Sequence, residues 1–169
     1  MVGRFVKNEH VALHPGRSAS IEFDGKVIGF IGELHPRLQQ KYDLPLAPVV
    51  FEVDVTALQQ VQVPSYQEIS KFQAVTRDLA LVVKQTVVVQ NLLDVFKQES
   101  QQNEACKIVQ GFVLFDEYRG KGLPEGQKSL AFRVTMQDTQ STLQDESVDA
   151  AMAALAEAVH QKHGATIRK

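Results

Sequence analysis

Ser70-Lys-Phe-Gln-Ala-Val-Thr-Arg-Asp-Leu-Ala-Leu-Val-Val83 opens the stretch on which the fold turns, Ser70–Lys169. From Arg77 to Val83 the residues alternate, with Leu79, Leu81 and Val83 on one face, which predicts a strand. Val87 to about Ser100 carries Val88, Leu92, Val95 and Phe96 at helical spacing, with Thr86 placed to cap the helix. Ala105 to Tyr118 predicts a long strand with a bend at Gly111. Lys128 to Asp138 predicts the next, with Leu130, Phe132, Val134 and Met136 facing inward. Thr142 to His163 predicts a long helix, opened by a variant capping box of Thr142 and Asp145 and closed by Gly164. Its buried stripe is Val148, Met152, Leu155, Ala156 and Val159, and Ala165–Lys169 is a short last strand.

Strand, helix, strand, strand, helix, strand is the ferredoxin-like split βαβ order. The fold class is therefore α+β: a βαββαβ sandwich with a four-stranded antiparallel sheet. Each helix has one apolar stripe, so both helices should cover the same sheet face. The other face would be open, carrying Ala80, Val82, Ala131, Arg133 and Thr135. No aromatic pair is expected at mid-strand there, so the stacking platform of RNA-recognition sheets is not evident.

The preceding residues read as part of another, mainly antiparallel β domain. His14-Pro15-Gly16 is a turn signal. Residues 18–24 alternate as a half-buried strand, Asp24-Gly25 predicts a two-residue hairpin, and Lys26–Glu33 returns as a strand apolar on both faces. Pro36–Tyr42 is a short helix, Val49–Val55 a strand and Thr56–Gln60 a turn or helix. Residues 1–15 give no clear pattern, and a domain boundary is placed near residues 62–70.

Composition excludes several functions. Eighteen basic and 20 acidic residues leave a net charge of −2, so no global basic field advertises nucleic acid. No apolar run approaches the roughly 18 residues of a membrane helix. Cys106 is the single cysteine, which rules out an internal disulfide and, with no signal-peptide pattern at the N-terminus, favours a reducing, cytoplasmic setting. No phosphate-binding loop, dinucleotide fingerprint or His-Glu-x-x-His motif occurs. His160 and His163 share a helix face without an obvious third ligand. Asp145 and Glu146 suit the first turn of a helix by charge alone.

Several ordered motifs resemble one family. They are the opening run 70–83; Leu114-Phe-Asp-Glu-Tyr-Arg-Gly-Lys-Gly-Leu-Pro-Glu-Gly126; Lys128-Ser-Leu-Ala-Phe132; and Thr142-Leu-Gln-Asp-Glu146. Together they resemble the ferredoxin-fold anticodon-binding domain that ends the beta subunit of bacterial phenylalanyl-tRNA synthetases. Upstream, His14–Ala19, Ile28–Pro36 and Phe51–Asp54 resemble the end of that subunit's non-catalytic, class II synthetase-like domain. Gln73 departs from the proline expected in many relatives.

The resemblance implies a C-terminal fragment of a longer subunit. Residues 1–62 would be an incomplete synthetase-like domain, 63–75 a linker and 76–169 the anticodon-binding domain. The holoenzyme would be an α2β2 ligase attaching phenylalanine to its tRNA with ATP and magnesium. Its partners would be the anticodon region of that tRNA and the alpha subunit, with no membrane. No catalytic, editing, cofactor-binding or metal residues are expected within this stretch. A protein–protein interaction module of the same fold is the competing reading.

Tyr118-Arg119-Gly120-Lys121-Gly122 is the leading contact candidate. Two cations flank a glycine where backbone can approach phosphate, and the tyrosine offers a flat surface to a base. A solvated turn explains the same residues. Arg77 and Arg133 are candidate phosphate or base contacts, against structural pairing within the sheet. Lys128, Arg168 and Lys169 are rim cations that could touch phosphate or simply be solvated.

Overall fold

The computed structural model describes residues 3–59, 66 and 69–168. The chain divides into two units, Met1–Ser65 and Tyr66–Lys169. Much of the boundary expected at residues 62–70, and Lys169, lie outside the described residues. Ser70 Oγ donates to the Asp138 carbonyl at 2.6 Å and Gln137 Nε2 to that of Phe72 at 2.7 Å. The end of the expected linker is thus tied into the second unit.

The first unit is an antiparallel sheet of β1 (Arg4–Lys7), β2 (Leu13–Phe23), β3 (Lys26–Leu34) and β4 (Val49–Val53), in that order. Two short helices, α1 (Pro36–Lys41) and α2 (Val55–Leu58), follow β3 and β4. The predicted hairpin is present: Phe23 pairs with Lys26, and Asp24 and Gly25 take φ of 47° and 75°. Two successive positive φ values match the twist of the flanking strands. His14-Pro15-Gly16 does not separate two elements. It lies inside β2, where the register jumps from Leu13↔Leu34 to Ser18↔Gly32, so the turn residues are accommodated as a bulge. β1 was not legible, because four residues give too little alternation to read.

β3 is not buried on both faces. Val27 is 62% exposed, and Phe5 and Phe51, which share a sheet face through the Phe5↔Ile21 and Ile31↔Phe51 rows, are also exposed. Gly29 is required by close approach. A Cβ there would stand 2.0 Å from the Glu52 carbonyl oxygen on β4.

The second unit follows the predicted order. It comprises β5 (Val75–Lys84), α3 (Val89–Gln102), β6 (Val109–Tyr118), β7 (Gln127–Met136), α4 (Asp145–His163) and β8 (Thr166–Ile167). The antiparallel sheet runs β6-β7-β5-β8. Leu79, Leu81 and Val83 stand opposite Phe132, Leu130 and Lys128, so the apolar positions of β5 and β7 share one face. Leu92, Val95 and Phe96 of α3 and Val148, Leu155 and Val159 of α4 close over it. Phe96 stacks on Phe112 at 5.0 Å and meets Phe132 edge-on at 5.2 Å.

Three local expectations fail at element starts. α3 begins after Val88 and α4 after Gln144, and neither N-cap makes a side-chain hydrogen bond. The Thr86 cap and the Thr142–Asp145 capping box are therefore absent; tertiary packing sets these starts. Cys106 ends a 3-10 turn, Glu104–Cys106, instead of opening a strand. Gly164 does close α4, at φ 63°.

Candidate nucleic-acid interface

The register of β6 on β7 decides what the open face carries. Leu114 pairs with Phe132, but Asp116 pairs with Ala131, so Phe115 is an extra residue in a bulge. Leu114 stays packed against the core and Phe115 joins the face opposite the helices, where Val113 and Arg133 also stand. The Phe115 ring lies 5.0 Å from the Arg133 guanidinium and is 49% exposed. Alternation from Leu114 already turns Phe115 outward; the bulge keeps Asp116 on that same side, so Tyr118, opposite Ser129, also faces away from the helices.

Arg133 is held flat. Its Nε donates to Asp78 Oδ1 at 2.9 Å and its second nitrogen, Nη2, to Oδ2 at 3.0 Å. Asp78 stands directly opposite it on β5. This bidentate pair holds the Asp78 carboxyl below its usual range and raises the Arg133 guanidinium.

The other end of the face is closed by two side chains from opposite edges. The Arg168 guanidinium lies 5.0 Å from the Tyr118 ring. Tyr118 belongs to edge strand β6, and the Arg168 N–H donates to the Ala80 carbonyl beyond edge strand β8. Their contact spans β7 and β5, whose Ser129 and Val82 are buried although they face away from the helices. Tyr118 Oη donates to the Lys121 carbonyl at 3.0 Å, so the ring also pins the loop after β6.

The sequence candidates separate on the structure. Tyr118, Arg119 and Lys121 come together at the loop, where Arg119 Nε donates to Glu117 at 2.7 Å and Lys121 is exposed. Arg133 lies on the open face as expected. Arg77 does not join it: it stands opposite Val134 on the helix-facing side and pairs with Asp145 at the start of α4, at 3.3 Å. Lys128 is not a rim cation. It shares the parity of Leu130 and Phe132, stands opposite Val83 and is 5% exposed. Phe115 and Asp78 were not among the candidates: alternation can place both on this face, but only the cross-strand register shows that Arg133 joins them.

Elsewhere, Cys106 is buried beneath α4, where loss of solvent and the nearby Glu99 push its thiol up, away from reactivity. His160 Nδ1 lies 2.8 Å from the Ala165 carbonyl. Among the described residues no group of three or more His, Cys, Asp or Glu side chains is placed to hold a metal ion. No described helix is long and apolar enough to cross a membrane.

A flat aromatic beside a fixed guanidinium, small residues around them and a glycine-rich cationic loop at the rim can together receive an unpaired base and its phosphate. Comparison with known proteins gives the family. Residues 70–168 match the family described as the ferredoxin-fold anticodon binding domain, and residues 3–55 match the phenylalanyl tRNA synthetase beta chain CLM domain. The phenylalanine–tRNA ligase beta subunit of Dechloromonas aromatica (strain RCB) is 56% identical over 165 residues, covering 98% of this chain and 20% of the relative. That of Burkholderia pseudomallei (strain 1710b) is 55% identical over 170 residues, covering 98% and 21%. That of Neisseria gonorrhoeae (strain ATCC 700825 / FA 1090) is 53% identical over 145 residues, covering 86% and 18%. The chain thus spans about a fifth of the length of the first curated relatives it matches. The motifs, the βαββαβ topology and the matched span agree, and the chain belongs to the family of the ferredoxin-fold anticodon binding domain.

Proposed function

We propose that this chain binds the anticodon arm of phenylalanine tRNA, using the open face of the β6-β7-β5-β8 sheet and the loop after β6. The observation that carries the reading is the Phe115–Arg133–Asp78 cluster: an exposed ring and a fixed guanidinium on a strand face beside a cationic loop. Phe115 receives a base by stacking on the side of its ring that Arg133 does not cover. Arg133, Arg119 and Lys121 meet phosphate or base edges. The even overall charge does not oppose this, because the relevant cations are local to one surface.

The wider setting follows from the relatives' name. The chain would serve a phenylalanine–tRNA ligase as part of its beta subunit, within an α2β2 assembly in the cytoplasm. ATP and magnesium would act in that assembly, away from this stretch. The exposed apolar face of the first unit, with Phe5, Val49 and Phe51, suits burial against protein and supports contact with the alpha subunit.

The test is a fluorescence titration of a labelled anticodon stem-loop of phenylalanine tRNA with the 169-residue chain at two salt concentrations. Binding should weaken steeply with salt. The double variant Arg119→Gln/Lys121→Gln should flatten that dependence by about 0.7 in log–log slope for each phosphate it no longer neutralises. No binding at low salt, for this chain and for the intact subunit alike, would defeat the proposal.

A further inference from the structure

The two guanidiniums on the open face are held differently. Arg133 is fixed by both carboxylate oxygens of Asp78 as well as by Phe115. Arg168 is exposed and meets the Tyr118 ring, and among the described residues no carboxylate forms an ion pair with it. It follows the two-residue strand β8 and is tied to the sheet through its backbone N–H. The ring it covers is itself anchored, because Tyr118 Oη is bonded to the loop carbonyl of Lys121. One aromatic on this face is therefore paired with a guanidinium that is locked in place, and the other with one that is free to leave.

We propose that Arg168 is an exchangeable cap on Tyr118: it occupies the ring in the free chain, and moves to a phosphate when an unpaired base of RNA stacks on that ring. This deepens the RNA-binding reading and rests on it. A ring surface holding a guanidinium has no room there for a base, so binding at Tyr118 requires displacement. An exposed cation–aromatic contact is weaker than a base–aromatic stack, and a phosphate beside the incoming base gives the displaced guanidinium a stronger, charge-assisted partner. The exchange needs no backbone movement: the Arg168 side chain is exposed, and the loop stays pinned through the Tyr118 hydroxyl. Arg133 does not take part, because leaving would strip Asp78 of its bidentate partner. The cap also keeps an apolar ring covered while no RNA is present.

The experiment uses the 169-residue chain labelled with nitrogen-15 and the anticodon stem-loop of phenylalanine tRNA. In the free protein the Nε–Hε signal of Arg168 should be shifted by the Tyr118 ring current, and Tyr118→Leu should remove that shift. On titration the Arg168 signal should leave its ring-shifted position as the backbone amides of β6 and β7 respond, while Arg133 keeps its bond to Asp78. Arg168→Gln should weaken binding several-fold and lower the log–log salt slope by about 0.7, and Arg168→Lys should restore the slope. Sheet amides that respond while the Arg168 signal stays put, or an unchanged slope in Arg168→Gln, would overturn the cap and leave RNA binding standing. A sheet that fails to respond at low salt would overturn both.

Discussion

Arg133 and Asp78 face one another directly across β7 and β5 and close a two-point bond, 2.9 and 3.0 Å long, on the sheet face away from the helices. About half of each side chain is exposed, so the pair adds little to stability. What it does is orient. A guanidinium fixed at two of its three nitrogens keeps its plane beside Phe115.

Asp78 titrates below its usual value of 3.8 because Arg133 bonds to the charged carboxylate. Folding therefore favours the ionised form; the pair's contribution is present above the usual pKa and is lost as pH falls through the depressed one. NMR titration of the Asp78 carboxyl carbon should give a midpoint below 3.8 that rises toward that value in Arg133→Gln. RNA affinity should show no Asp78-linked change between about pH 5 and 8.

Phe115→Ala should weaken anticodon stem-loop binding by about 1–3 kcal/mol, the worth of one base–aromatic stack. Its melting temperature should change little, because the ring is exposed and lies outside the core. Parallel titration and thermal melts separate the two effects.

Phe132→Ala removes a fully buried ring that stands between the two helices and the sheet and touches Phe96. Urea denaturation should show a loss of about 3–5 kcal/mol for the second unit.

Gly29→Ala should prise β4 from β3, since the new methyl would stand 2.0 Å from the Glu52 carbonyl. Hydrogen exchange should show weaker protection on β4, at a cost of at least about 1–3 kcal/mol. Gly111→Ala, where a Cβ meets nothing within 4 Å, is the control and should leave exchange unchanged.

Val88→Ser should stabilise the chain by up to about 1 kcal/mol. Val88 is an exposed N-cap of extended conformation with no side-chain hydrogen bond, and serine can bond a free N–H of the first turn. Chemical denaturation of the two chains side by side reads the difference.

Local signals along the chain dictate the α+β class, the βαββαβ order and the helix-facing set Leu79, Leu81, Leu130, Phe132 and Val134. They also dictate the Asp24-Gly25 hairpin and the Gly164 stop. Each is written as a period of two or 3.6 residues, or as backbone angles that few residue types accept. The open face, by contrast, is composed by tertiary pairing. One extra residue at Phe115 reverses the parity of β6 beyond it, and a bulge is visible only against the partner strand. Tertiary pairing also turns Arg77 to Asp145, buries Lys128 opposite Val83, and brings Arg168 to Tyr118 across two intervening strands. Each joins residues tens of positions apart, and such pairings depend on which strand lies beside which, a relationship that no local pattern carries.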